Sequence, residues 1–124
     1  MLGDYDTYTD IAVKDLAAAK DFYAGTLGLK LSHEDEWELE FGSGSTRVHV
    51  YKSDYAGTNK ATYMTWNVGD DLEAKVDELK DKGISFEHYD MPGTTMEGDI
   101  HVMGDLKAAW FQDPDGNILC ISNM

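Results

Sequence analysis

The 124 residues, 42% of them hydrophobic, amount to one domain's worth of chain with enough apolar material for a packed core. A formal charge of −14 repels phosphate, which excludes nucleic acid and anionic membrane surfaces as partners and leaves solubility or attraction of cationic small molecules as its uses. A single cysteine forbids an internal disulfide, no apolar run nears the about 18–20 residues of a membrane span, and MLGDYDTYTD lacks the basic and apolar parts of a secretory leader, so a cytoplasmic protein is expected.

In chain order, residues 5–13 (YDTYTDIAV) are rich in strand formers. Asp15 reads as the N-cap of a helix over 16–26, with Leu16, Ala19, Phe22 and Tyr23 at helical spacing and Gly28 as its stop. Strands are predicted over 29–33, 37–41 and 46–51, the last two joined by the turn GSGS. A polar stretch, 52–60, leads to a strand over 61–68 (ATYMTWNV). Asp70 and Asp71 offer a second N-cap, Leu72, Val76 and Leu79 mark a helix face, and Gly83 ends it. Residues 84–89 alternate as a strand does. The stretch 90–105 reads as a long irregular loop, a candidate lid whose Met91, Met96 and Met103 suit an apolar ligand.

The chain closes on AAWFQDPDGNILCI, 108–121, two apolar runs around a turn. Pro114 fits the first central position of a type I turn and Gly116 the left-handed position after it. That loop pairs Asp113 with Asn117 and sets Trp110 opposite Cys120 on one sheet face. Strand, helix and three strands therefore occur twice. Tyr8 and Tyr63, Val13 and Val68, Asp15 and Asp70, and Gly28 and Gly83 are each 55 positions apart. Two fused βαβββ modules follow, about 1–55 and about 60–124, an α+β architecture.

IAVKDLAAAKDFYAGTLGLKL resembles the opening module of the vicinal oxygen chelate superfamily, the glyoxalase, bleomycin-resistance and extradiol-dioxygenase proteins. WNVGDDLEAKVDELKDKGISFE and AWFQDPDGNILCI are similar to the start and end of its second module. The resemblance implies a single domain of paired modules, with curved mixed sheets around a cup-shaped cavity and a homodimer as the common assembly. It also implies a divalent metal held by His, Glu or Gln on the first and last strands of each module. Carried onto this sequence, those positions are Tyr8, His49, Tyr63 and Cys120, so a thiol stands where the closing glutamate is usual.

Those residue types set the functional expectation. A catalytic divalent site needs about three ligands from His, Cys, Asp or Glu. One imidazole, one thiol and two phenols, which ionise only near pH 10, supply a poor set. No metal ligands and no cofactor are expected, a divalent metal being the lesser alternative. Tyr8, His49, Tyr63, Trp110 and Cys120 are expected to bind a small-molecule ligand of aromatic or cationic character, with Trp37 and Trp66 as further lining. His49 is the best catalytic candidate, as general acid or base. His33, His88 and His101 read as surface histidines. The competing reading is a metal-dependent lyase, isomerase or dioxygenase of glyoxalase type with unconventional ligands.

Overall fold

A computed structural model describes residues 1–124. Contacts divide the chain into two compact units, Met1–Thr58 and Asn59–Met124.

In the first unit, β1 (Thr9–Val13), β2 (Lys30–Glu34), β3 (Glu38–Ser43) and β4 (Thr46–Lys52) form one sheet in the order β1-β4-β3-β2. β1 lies parallel to β4, and the other pairs are antiparallel. Alternation assigns each face its chemistry. Ile11, Val13, Leu39, Phe41, Val48 and Val50 are buried on one side. α1 (Leu16–Lys20) contacts β3 and β4. Its N-terminus is held as expected: Asp15 accepts from the Ala17 and Ala18 amides at 2.9 and 3.2 Å. The helix continues as a π-helical segment, Asp21–Thr26. That wider turn lets the consecutive Phe22 and Tyr23 both bury, with Tyr23 at 0% exposure.

In the second unit, β5 (Thr62–Asn67) runs parallel to β10 (Ile118–Ser122), which pairs antiparallel with β9 (Leu106–Gln112). α2 (Leu72–Asp81) buries Leu72 and Val76 and contacts β9. The far edge of β9 is shared by two short strands. β6 (Phe86–Glu87) pairs with its Trp110 and Phe111, and β8 (Ile100–Met103) with Leu106, Lys107 and Ala108. β7 (Thr95–Glu97) adds to the outside of β8.

Three local expectations change. Residues 90–105 hold the β7–β8 hairpin rather than an irregular loop, because Gly98 at φ 61° opens a two-residue turn between TME and IHVM. The strand expected over 84–89 shrinks to Phe86–Glu87. Asp71 makes no side-chain cap bond, since residues 69–71 form a 3₁₀ turn and leave it at φ −84°, ψ 4°, away from the extended capping conformation. The closing hairpin forms as expected: Gly116 takes φ 88°, the Asp113 amide donates to the Asn117 carbonyl at 2.9 Å, and Trp110 pairs with Cys120.

Candidate functional site

The face of the first sheet opposite α1 carries Asp10 on β1, Glu38 and Glu40 on β3, and Arg47, His49 and Tyr51 on β4. Register places Asp10 and Glu40 on either side of His49. His49 Nδ1 lies 2.7 Å from Asp10 Oδ1, and its Nε2 lies 2.8 Å from Glu38 Oε2. A neutral imidazole has one N–H, so facing a carboxylate at each nitrogen requires both nitrogens to donate. Both contacts are satisfied together only when His49 carries its second proton. Partial burial works against that charge, but the bonds to Glu38 and Asp10 outweigh it and raise the pKa above the usual histidine value. In its protonated form such a ring is a proton donor and not a base.

Aromatic rings surround this charge network. Tyr8 meets His49 edge-on at 5.9 Å, and Tyr51 stacks on it at 5.7 Å with 9° between planes. The Arg47 guanidinium sits 4.8 Å from the Tyr8 ring centre while paired to Glu40 at 2.7 Å. Tyr8 is 51% exposed, so this is an accessible surface and not core.

In the second unit, Cys120 and Trp110 face the same side, with Thr65 in register on β5. Trp110 Nε1 donates to Thr62 Oγ1 at 3.0 Å. Cys120 is 3% exposed and donates to the Ile121 carbonyl at 3.6 Å. Burial pushes its thiol pKa up, which removes thiolate, the nucleophilic and metal-binding form. Alkylation by iodoacetamide at pH 8 is expected to run about tenfold or more slower in the native protein than in urea. Equal rates, read by mass spectrometry, contradict a sealed thiol.

The structure thus brings Tyr8 to His49 and Trp110 to Cys120. Tyr63 is half-buried at the bulge between β5 and β10. Trp66 stacks on Phe111 at 6.4 Å and pairs with Ile121, which places it on the other face from Trp110. Trp37 is 67% exposed just before β3. Asp10 and Glu38 were not singled out from sequence, although strand alternation puts them on one face with His49 once β1 is laid parallel and β3 antiparallel to β4. His101 is no surface residue: it is fully buried on β8, its Nε2 accepts the Tyr89 amide at 2.9 Å, and its ring meets Trp110 at 4.9 Å. Burial lowers its pKa, so it stays neutral.

A family model described as the Glyoxalase/Bleomycin resistance protein/Dioxygenase superfamily matches residues 7–121. The chain belongs to that superfamily. No curated protein sequence matches it. Among solved structures, a glyoxalase family protein from Enterococcus faecalis is 19% identical, with 98% of this chain and 99% of that chain covered and a TM-score of 0.74. The fosfomycin resistance protein FosX from Mesorhizobium loti is 11% identical, with 98% and 92% covered and a TM-score of 0.71. Lactoylglutathione lyase from Agrobacterium tumefaciens is 16% identical, with 95% and 92% covered and a TM-score of 0.71. At these identities the likeness is one of fold.

At the four positions where the resemblance to the family implies metal ligands, the residues present do not fit a divalent ion. His49 has a carboxylate at each ring nitrogen, Cys120 is a buried thiol held protonated, and Tyr8 and Tyr63 offer phenols. No chemical step is routed through a metal there.

Proposed function

We propose that this chain is a small-molecule-binding member of the superfamily that holds an aromatic cation and has no metal at those four positions. The observation that carries the reading is the cluster around His49. Two carboxylates, Asp10 and Glu38, flank one imidazolium among the rings of Tyr8 and Tyr51, which leaves a net negative, ring-lined surface. An organic cation gains there from the carboxylates and from the faces of the tyrosines. Tyr63 and Trp110 supply the corresponding ligand-facing residues of the second module, with Cys120 buried on the same sheet face as Trp110. Residues 1–124 count as a single domain of the superfamily, acting in the cytoplasm as a homodimer; the lone cysteine and the family resemblance support this. Binding rather than turnover is favoured because the two carboxylates bonded to His49 favour its protonated form and burial keeps Cys120 a thiol.

The test is a thermal-shift series in chelator with benzyltrimethylammonium, benzyl alcohol and benzoate. A ligand that binds only the folded state raises the melting temperature. The cation is expected to raise it most, and Tyr8→Ala or Asp10→Asn to abolish most of the shift. Equal shifts from all three probes, or none, overturn the reading.

A further inference from the structure

A second cluster of metal-ligating side chains lies at the β2–β3 turn, away from the positions to which the family's metal ligands correspond. His33 is on β2, Asp35 is in the turn and Glu38 opens β3. His33 Nε2 stands 3.0 Å from Asp35 Oδ2 and 3.9 Å from Glu38 Oε1, and the donor atoms of all three lie within 4.8 Å of one another. Bonds of about 2.0–2.2 Å from a central ion place donors about 3–4 Å apart, so small side-chain rotations close this set around one cation.

Local structure arranges these donors in advance. The register shift between Leu31 and His33 turns His33 onto the face that carries Glu38. Asp35 Oδ1 accepts the Trp37 amide at 2.8 Å and the Glu38 amide at 3.0 Å, which fixes the carboxylate and aims Oδ2 at His33. Glu38 uses Oε2 on His49 and turns Oε1 toward His33. His49 in turn is tied to Asp10, so Glu38 has a hydrogen-bonded support behind it, as ligating carboxylates commonly have.

We propose that His33, Asp35 and Glu38 form a divalent-cation site of one imidazole and two carboxylates, with zinc the favoured ion and an open position for water or a ligand oxygen. Imidazole selects first-row transition cations over magnesium or calcium, and three protein ligands leave a tetrahedral ion one vacancy. The site does not depend on cation binding at the His49 cluster, although Glu38 joins the two.

Equilibrium dialysis against Zn²⁺ alone tests it. The wild-type protein is expected to hold one equivalent. His33→Ala and Asp35→Asn should each weaken binding about tenfold or more. The asparagine keeps an oxygen for the Trp37 and Glu38 amides, so it separates ligation from turn folding. Melting temperatures in chelator check that both variants are folded, and the His33 imidazole NMR signals should move on addition of Zn²⁺. His88→Ala, at an exposed histidine of the second unit, should bind as wild type does. Absent binding, unchanged affinity in His33→Ala, or loss in His88→Ala each overturns the proposal.

Discussion

Phe111→Ala is expected to destabilise the second unit by about 3–5 kcal/mol, enough to remove most of a small domain's stability. Phe111 is fully buried on β9. Phe86 meets it edge-on at 5.7 Å and Trp66 stacks on it at 6.4 Å, while Leu119 pairs with it across the ladder. Removing the ring leaves a cavity among side chains that strand pairing fixes in place, so collapse is limited and the cost falls at the upper end of core truncations. Urea denaturation followed by tryptophan fluorescence measures this, since Trp66 and Trp110 lie in the same unit. A loss below about 1 kcal/mol would mean the site relaxes freely and the packing described here is wrong.

The second large effect concerns charge. Glu38→Gln is expected to lower the pKa of His49 and to cost about 1.5 kcal/mol near pH 6, the low end for a hydrogen bond to a charged group because Glu38 is 39% exposed. The sign follows from the raised folded-state value of His49. Its contribution is fully present below the unfolded histidine value of about 6.5 and is lost as pH rises through the higher folded value. The penalty of the variant should therefore shrink in alkaline solution. His101 has the opposite sign: its value is lowered by burial, so its stabilising effect is lost as pH falls below about 6.5. NMR titration of the four histidines separates the two. A His49 midpoint at or below that of a free histidine would refute the doubly bonded imidazolium.

The repeat made the fold legible. Strand formers, caps and stops recur at one spacing, and Asp15, Gly28, Gly83 and Gly116 act as their residue types predict. The closing hairpin was readable to the level of a single cross-strand pair, because turn chemistry alone sets its register. The β7–β8 hairpin was not, since its strands are short and its methionines and histidine break no simple pattern. At the His49 cluster, sequence offered the histidine and Tyr8 but not Asp10 or Glu38. Those carboxylates sit 39 and 11 positions from His49, and only parallel pairing of β1 with β4 and antiparallel pairing of β3 with β4 bring them to it. The Asp35 turn is local, yet its use as a pair of amide acceptors depends on how tightly β2 returns into β3.

The shared edge of β9 has a consequence for solubility. An uncovered strand offers its amides and carbonyls to any passing chain, and β9 meets that hazard by spending its outer edge on β6 and β8, with β7 laid outside β8. Within the first unit β2 has no such cover. Its protection is chemical: Lys30, His33 and Glu34 stand along it, and Lys20 reaches Glu34 at 2.9 Å. Neutralising those side chains would expose the strand as a template for aggregation, so His33, one member of the proposed cation seat, also helps keep that edge from pairing with strangers.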